Sequence, residues 1–442
     1  MSDSSPKPDT SLGSASDDES RRKLLKPAPM ETTEILSVLR EHFSSLSHLA
    51  SPPASFRLIK ELDSYDDRNY LVELLSDGDD NGTSVDDLTK RRRFLLKVHN
   101  GVETDYVGPI ELQNSASQYV LERLAKAGGG VLKVPVPVHN DRRELITFVP
   151  DLAVVGPPGG GERGVDQLRT LAVRLMTYLE GETMSEAGPV PDETLANLGI
   201  DAGRLDHVLD GYVPPSSPSS PGVQSARDAA HRTHAWDLRH FSATVSRYLP
   251  HLADPARRAL VAAVADACAT PAFVAASATF RRGLIHNDLN DANVLISSEG
   301  PHGRRRARPT VSGIIDFGDM VHTWRVLEVS TAMAYAALSR PEDHGTFRVA
   351  AVLLRGYCAS YPLNPEEVDA LHLLVCARLA LSATVGNYSY IQNPENEYLL
   401  LHAEPAWRTL KMWWGAGTEE ATELFRGAAE GGGWWWERRQ KD

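Results

Sequence analysis

The chain has 442 residues, of which 42% are hydrophobic and 24% are charged, and its formal net charge is −13 at pH 7. This length and apolar content suffice for two lobes with buried cores. The acidic balance argues against a nucleic-acid-binding protein, which needs a basic surface. The three cysteines, Cys268, Cys358 and Cys376, form no Cys-x-x-Cys pair, which favours reduced thiols in an intracellular protein.

The chain ends differ in composition from the middle. The first 20 residues are rich in Ser, Asp and Pro and contain no apolar signal-peptide core. We expect a disordered tail over residues 1–30, an N-terminal lobe over 31–182, a C-terminal lobe over 183–430 and a second tail over 431–442. No apolar run reaches transmembrane length, so a soluble cytoplasmic protein without a membrane partner is expected.

The first lobe is predicted to combine an antiparallel sheet with helices. Apolar residues at helical spacing indicate helices over 31–47 and 109–127. Residues 56–75 indicate two strands on either side of a polar turn at 62–69, the second strand being 70–75. Further strand patterns cover residues 94–99, 134–138, 144–149 and 171–179. A turn at 62–69 is able to place backbone N–H groups over nucleotide phosphates, but it lacks the usual glycines, and an ordinary hairpin fits equally well.

Lys97 is a single cation within the apolar run 94–98, and a lysine in such a strand needs a partner. Two interpretations are open: an edge residue whose ammonium reaches water, or a cation that binds nucleotide phosphates and is paired with a carboxylate. Glu111, in the first turn of helix 109–127, is the best-placed partner. Glu103, in the connecting loop, is the alternative.

Two other patterns are assigned no chemistry. The sequence Gly159-x-Gly161-x-x-Gly164 matches a dinucleotide-binding pattern by letter, but no helix follows it, so a flexible linker is expected. His231 and His234 have no acidic or thiol companion at metal-ligand spacing, and we interpret them as residues of a solvated helix face.

The second lobe is predicted to be helical around one stretch with dense polar chemistry. Two apolar runs, 294–296 and 311–315, predict a buried hairpin whose connecting insert, 297–309, is solvated. Asp288 and Asn293 precede the first strand, and Asp316 follows the second. Phosphoryl transfer needs a carboxylate base and oxygen ligands for Mg²⁺, roles that fit Asp288 and the pair Asn293 and Asp316. The alternative is that all three are turn residues. Further helices are predicted at 255–273, 326–338, 346–361, 365–390 and 398–414.

The order of these features resembles the aminoglycoside phosphotransferase and choline kinase group, which has a protein-kinase-like fold. Four segments look like those of the hydroxylysine kinases within that group: Ser-Tyr-Asp-Asp-Arg-Asn-Tyr (64–70), Val-Arg-Leu-Met-Thr-Tyr-Leu (173–179), His-Asn-Asp-Leu-Asn-Asp-Ala-Asn-Val-Leu (286–295) and Ile-Asp-Phe-Gly-Asp-Met (315–320). The resemblance covers roughly residues 31–414. It departs from the family's pattern at Asn287, where the family usually has Gly or a small residue.

The resemblance implies an α+β fold of two lobes and a role for each matching residue. Asp288 is then the base, Asn293 and Asp316 bind Mg²⁺, and Lys97 binds phosphates with Glu111 as its partner. The nucleotide-binding residues that it implies are, besides Lys97 and Glu111, Ser64, Tyr65, Asp66, Asp67 and Asn69 over the phosphates and Thr177 and Leu179 at the nucleobase. GTP, or ATP, is the expected donor.

The expected reaction is transfer of the γ-phosphate of GTP to the 5-hydroxyl of 5-hydroxy-L-lysine. This acceptor is a zwitterion with an extra ammonium, so carboxylates and a cation should contact it; the candidates are Asp319, Glu328, Arg378 and Glu395. One alternative is another amino-alcohol, such as an aminoglycoside or a choline-like compound. A second is a catalytically dead kinase-like binding module, which would lack one of Lys97, Asp288, Asn293 or Asp316, and all four are present.

Overall fold

A computed structural model of the full chain describes residues 22, 25–49, 55–75, 92–126, 132–151, 170–216, 225–299, 305–338, 345–392 and 403–431. The chain divides into two compact units. The N-terminal unit comprises Met1–Asn114, Pro135–Leu179 and Ser217–Ala226, and the C-terminal unit comprises Ser115–Val134, Glu180–Ser216 and Arg227–Asp442. The predicted α+β class, with an antiparallel sheet first and a helical region second, is confirmed.

The N-terminal unit is built on a six-stranded sheet in which every strand pair is antiparallel. Its strands are β1 Ser55–Leu62, β2 Arg68–Leu75, β3 Arg92–Val98, β4 Pro137–Val138, β5 Thr147–Pro150 and β6 Thr170–Thr177. Its helices are α1 Thr32–His42, α2 Gly101–Asp105 and the first part of α3 Gly108–Lys126. The strand order is β1-β2-β3-β6-β4, and β5 also pairs with β6.

Local turn chemistry explains where the predicted boundaries differ. The helix predicted over 31–47 ends at His42, because a 3₁₀ segment, Ser44–Leu49, follows it. The strands predicted at 134–138 and 144–149 shrink to β4 and β5. Between them, Asn140 Oδ1 accepts the backbone N–H groups of Arg142 (2.9 Å) and Glu144 (2.8 Å), which organises a turn.

The chain before α1 packs against the N-terminal unit, so the predicted tail ends earlier than residue 30. The backbone N–H of Gly101 donates to the carbonyl of Leu25 (2.9 Å), and that of Met30 donates to the hydroxyl of Tyr70 (2.8 Å). Residues 25–30 are therefore hydrogen-bonded to both α2 and β2.

The C-terminal unit contains two small strand assemblies and most of the helices. Its strands are β7 Glu182–Thr183, β8 Arg282–Ile285, β9 Val294–Glu299, β10 Arg305–Ile314 and β11 Val321–Trp324. Its helices after α3 are α4 Met184–Ala187, α5 Asp192–Asp210, α6 Ala226–Ala230, α7 Phe241–Tyr248, α8 Pro255–Cys268, α9 Pro271–Ser277, α10 Val326–Leu338, α11 Gly345–Ser360, α12 Pro365–Gln392, α13 Ala403–Ala416 and α14 Thr418–Ala429.

The predicted hairpin is confirmed, since β9 pairs antiparallel with β10 and Val294 lies opposite Ile314. The pairing extends further than predicted, because β9 continues to Glu299 and β10 begins at Arg305, within the insert expected to be solvated. A second antiparallel pair joins β8, which precedes residues 286–320, to β11, which follows them. The loop after β8 and the segment before β11 are therefore neighbours.

The helices of the C-terminal unit pack closely. A Cβ atom on Gly199 of α5 would lie 2.0 Å from the carbonyl oxygen of Leu353 in α11, so these two helices meet backbone to backbone. The helix predicted over 255–273 is two helices, because Thr270 caps α9 and Pro271 starts it. By length and composition α12 resembles a membrane span, but 89% of its most apolar stretch is buried, as in a core helix.

Candidate active site

Asp288 lies in the loop after β8, and three donors orient its carboxylate. Oδ2 accepts from the side-chain amides of Asn290 (2.9 Å) and Asn293 (2.7 Å), and Oδ1 accepts from Nη2 of Arg378 (2.7 Å). The Asp288 side chain keeps 21% of its surface exposed. An oriented carboxylate that still meets solvent is able to act as a general base.

Short-range bonds shape this loop. Asn290 Oδ1 accepts the backbone N–H groups of Ala292 (2.8 Å) and Asn293 (3.0 Å), a pattern by which asparagine organises turns. Asn287 has a φ of 67°, in the left-handed region that glycine adopts freely and asparagine tolerates best among the other residues. The backbone therefore explains why asparagine fits where the resembling family has Gly or a small residue.

His286 joins the Asp288 loop to the segment that carries Asp316. Its Nε2 lies 3.0 Å from the carbonyl oxygen of Ile315, and its Nδ1 accepts the backbone N–H of Asp288 (3.2 Å). Burial lowers the pKa of His286, as expected for a neutral ring that donates at one nitrogen and accepts at the other. The N–H of Ile315 also donates to the carbonyl of Asn293 (2.9 Å). Asp288, Asn293 and Asp316 are thus carried by segments bonded directly to one another.

Asn293 and Asp316 offer oxygen atoms suited to Mg²⁺. The amide nitrogen of Asn293 donates to Asp288, so its amide oxygen is the atom left for a cation. Asp316 has a left-handed backbone, with a φ of 60°, and an exposed position two residues after the end of β10. One amide and one carboxylate oxygen form a hard-oxygen donor set of the kind that Mg²⁺ prefers.

The electrostatic surroundings of Asp288 favour its protonated form more than water does. Burial, together with the neighbouring carboxylates of Asp319 and Asp316, raises the pKa of Asp288 to about 7, against the opposing effect of Arg378. Asp319 itself lies 3.4 Å from Nε2 of His234 and keeps 31% of its side chain exposed. Among the acceptor-binding candidates that the structure describes, Asp319 is therefore the one with an accessible carboxylate.

Two other predicted acceptor-binding residues have contacts inside the protein instead. Glu328 is fully buried, and its Oε2 accepts the backbone N–H of Asn287 (2.8 Å). Burial and then the charge of Asp206 raise the pKa of Glu328 well above its usual range. Arg378 is 1% exposed and donates to Asp288. These contacts correct the expectation that both side chains face the acceptor; the fourth candidate, Glu395, lies outside the described residues.

In the N-terminal unit, Lys97 is an interior cation with a carboxylate partner. Its ammonium lies 3.0 Å from Oδ2 of Asp67, and Oδ1 of Asp67 accepts the backbone N–H of Asn100 (2.8 Å). The interpretation of Lys97 as an edge residue is therefore wrong. The pair of Lys97 with Glu111, in the first turn of α3, stays a prediction.

Glu103 is engaged with a histidine. His99 Nδ1 lies 2.6 Å from Glu103 and 3.7 Å from Asp67, and the ligand atoms of these three buried residues lie within 4.8 Å of one another. Although that spacing would suit a metal, Lys97 already balances Asp67 and His99 already bonds Glu103. We therefore interpret the group as an ion-pair and hydrogen-bond network beneath Lys97.

Polar groups of the turn at residues 63–67 bond to two basic residues, Arg22 and Lys26. Asp66 pairs with Arg22 (3.0 Å), and the carbonyls of Ser64 and Tyr65 accept Lys26 Nζ at 2.9 and 3.2 Å. The carboxylates of Asp66 and Asp67 are thus engaged inside the protein, and the backbone N–H groups of the turn are the proposed phosphate contacts. Asn69 was predicted to belong to this turn but lies in β2, directly opposite Lys97 on β3.

The segment predicted to contact the nucleobase is partly used by the sheet. Thr177 donates its backbone N–H to the carbonyl of Val136 (2.9 Å), and Tyr178 donates to that of Arg93 (3.2 Å). Within the described part of the chain, the N–H of Leu179 has no backbone acceptor. The contact of Thr177 and Leu179 with a nucleobase stays a prediction, although the N–H of Thr177 is already used within the sheet.

Sequence reasoning missed several contributions to these sites. The link between Asp67 and Lys97 follows from the register of β2 and β3, which no local pattern specifies. Asn290 was quoted within a motif but given no role, although an Asn two residues after Asp288 is a recognisable turn signal. Trp236, whose ring lies 4.7 Å from the guanidinium of Arg378, has no local signal at all.

Comparison with known proteins shows which family the sequence matches. The sequence profile of the "Phosphotransferase enzyme family" matches residues 59–371. Hydroxylysine kinase of Bos taurus is 32% identical over 375 residues, which cover 83% of this chain and 87% of that protein. Hydroxylysine kinase of Mus musculus is 27% identical over the same extent. Among solved structures, a microcompartment-associated aminopropanol kinase has a TM-score of 0.57 at 18% identity, covering 89% of this chain and all of that one.

Proposed function

Because the chain belongs to the phosphotransferase enzyme family, we propose that it transfers the γ-phosphate of GTP to the 5-hydroxyl of 5-hydroxy-L-lysine. The family and its relatives establish a small-molecule kinase that acts on an alcohol. The observation that carries the mechanism is the carboxylate of Asp288, which is oriented by Asn290, Asn293 and Arg378. The hydroxylysine acceptor is supported by relatives of that activity that align with 83% of the chain.

In this mechanism Asp288 accepts the proton of the attacking hydroxyl. Asn293 and Asp316 would hold Mg²⁺, which would supply positive charge to neutralise the donor phosphates. Lys97, balanced by Asp67, provides a cation for those phosphates. Leu179 provides the backbone contact with the guanine of GTP.

The acceptor brings two ammonium groups and a carboxylate. Asp319 is the described candidate best suited to an ammonium group, because its carboxylate is partly exposed. Glu395 is a second candidate by sequence. The carboxylate of the acceptor needs a cation other than Arg378, whose guanidinium is buried.

The test is turnover by the purified protein with Mg²⁺. GTP and ATP are each supplied with 5-hydroxy-L-lysine, with L-lysine as the acceptor that lacks the hydroxyl, with an aminoglycoside and with choline. Turnover restricted to 5-hydroxy-L-lysine and GTP is the expected result. Preference for another amino-alcohol or for ATP would overturn the substrate while retaining the reaction, and nucleotide binding without any turnover would favour the catalytically dead module.

Asp288→Asn tests the base. The substitution retains the shape but removes the proton acceptor, so kcat should fall by about 10²–10⁴-fold while the nucleotide Kd changes little. Asp291→Asn removes another carboxylate of the same loop and serves as the matched control. Turnover measured under saturating nucleotide separates them, and wild-type kcat in Asp288→Asn would contradict the assignment.

A further inference from the structure

Arg378, in the middle of α12, is a fully charged side chain with almost no solvent contact. It is 1% exposed, and its Nη2 donates to Oδ1 of Asp288 at 2.7 Å. Its Nη1 lies 3.4 Å from the carbonyl oxygen of Asn287. A buried arginine is costly unless it is paired, so the location of this charge directly behind the base calls for an explanation.

Two aromatic rings fix the guanidinium in place. Its central carbon lies 4.7 Å from the centre of the Trp236 ring and 5.4 Å from that of Tyr335. Trp236 is in turn located by the adjacent Asp237, which is fully buried and accepts from the hydroxyl of Thr323 on β11 (2.6 Å). Stacking and burial leave the guanidinium little freedom to follow a moving partner.

The two carboxylate oxygens of Asp288 accept hydrogen bonds from different parts of the chain. Asn290 and Asn293 donate to Oδ2, and both belong to the same loop as Asp288. Arg378 donates to Oδ1 from a helix 90 residues later in the chain. Donors on both oxygens determine the plane of the carboxylate, whereas the loop donors alone determine only one end of it.

We propose that Arg378 is a positioning residue that acts through Asp288, holding the plane of the carboxylate so that it meets the acceptor hydroxyl in a productive direction. This role rests on the proposed function of Asp288 as the base. It differs from the role predicted from sequence, in which Arg378 binds the carboxylate of the acceptor. A guanidinium that is 1% exposed and bonded to Asp288 reaches the reaction through that residue.

The test compares Arg378→Met and Arg378→Lys with the wild-type enzyme. Methionine retains part of the aliphatic chain but loses the guanidinium donors, and kcat should fall about 100-fold, the cost of a base displaced by about 1 Å. The KM for the acceptor and the Kd for the nucleotide should stay within about twofold. Lysine restores one charged donor and should recover part of kcat.

Arg281→Met is the matched control. Arg281 also pairs with a buried carboxylate, Glu367, and lies over an aromatic ring, Tyr361, at 4.8 Å, but it contacts no proposed catalytic residue. It should lose stability without losing kcat per folded molecule. An equal loss of kcat in Arg281→Met would show that a general structural defect explains both variants.

A double-mutant cycle decides whether Arg378 acts through the base. In an Asp288→Asn background, Arg378→Met should change kcat by less than about threefold, because there is no base left to position. A further 100-fold fall would overturn the proposal. If Arg378→Met does not fold, Arg378→Lys supplies the same cycle.

The acceptor-binding alternative is distinguished by 1,5-diaminopentan-2-ol, which lacks the carboxylate of 5-hydroxylysine. A KM that rises for 5-hydroxylysine alone would overturn the positioning role. If the wild-type enzyme does not use 5-hydroxylysine, the proposed substrate fails first. The cycle is then measured on the alcohol that it does phosphorylate, or on hydrolysis of the nucleotide by water, and the same non-additivity is required.

Discussion

Asp66 and Asp67 are adjacent acidic residues near the buried Lys97, and their pKa values are shifted in opposite directions. Burial alone would raise the pKa of Asp67, but Lys97 at 3.0 Å and the N–H of Asn100 bring it below its usual value. Asp66 is the opposite case, because burial and the charge of Asp67 raise its pKa to about 7. Ionised Asp67 stabilises the N-terminal unit, whereas ionisation of Asp66 costs stability.

This contrast predicts opposite effects of two neighbouring substitutions. Asp67→Asn removes the carboxylate charge that lies 3.0 Å from the buried Lys97 ammonium and should lower the free energy of unfolding by about 3 kcal/mol at pH 8. Asp66→Asn removes a charge that the site disfavours, so the free energy of unfolding should stay constant or rise. Urea denaturation of both variants measures the difference. Equal losses would show that the two aspartates are electrostatically equivalent.

At the scale of elements, local patterns were sufficient wherever a segment's own residues decide its structure. The β9–β10 hairpin follows from two apolar runs, and α10 matches its prediction over 326–338 because its interior is continuously apolar. The break between α8 and α9 was missed although Thr270 and Pro271 are ordinary start signals, because the apolar spacing continues across them.

Contacts between distant segments were beyond such patterns. The catalytic roles of Asp288, Asn293 and Asp316 were predicted from one stretch of chain, and the structure brings their segments together. The donor to Oδ1 of Asp288 comes from α12, and no spacing rule relates residues 288 and 378. Glu328 was predicted to face the acceptor because its type suits an ammonium, yet the fold uses it to bond the loop backbone.

Residues 25–30 were predicted from composition to belong to a disordered N-terminal tail, but they are hydrogen-bonded to α2 and β2. Lys26 of this segment donates to the carbonyls of Ser64 and Tyr65, in the turn proposed to cover the phosphates. Lys26→Met removes the ammonium that makes these hydrogen bonds. The free energy of unfolding should fall by about 1.5 kcal/mol, the net value of hydrogen bonds from a charged group. Amide hydrogen exchange in residues 63–67 should accelerate. Lys60→Met, an exposed change on β1, is the control, and unchanged exchange in Lys26→Met would contradict this account.

At the scale of the whole molecule, buried carboxyl groups couple folding to pH. Asp206 in α5 is fully buried, and burial raises its pKa to about 7 although Arg325 lies 3.6 Å away. The hydroxyl of Tyr357 in α11 also donates to it, so this carboxyl joins two closely packed helices. Between about pH 4 and 7 the folded chain retains a proton on Asp206 that the unfolded chain has released.

The stability contribution of Asp206 is therefore fully present below the unfolded pKa and is lost as the pH rises through about 7. Asp206→Asn has no proton to lose. Its free energy of unfolding should resemble that of the wild type near pH 4 and then rise relative to it, by at most about 1.4 kcal/mol per pH unit. Tyr357→Phe retains the carboxyl but removes a hydrogen bond that lowers its pKa, so the fall in stability with pH should persist and extend to higher pH than in the wild type. Urea denaturation from pH 4 to 8 measures all three proteins. A difference between Asp206→Asn and wild type that stays constant over this range would mean that Arg325 keeps Asp206 ionised in the folded protein.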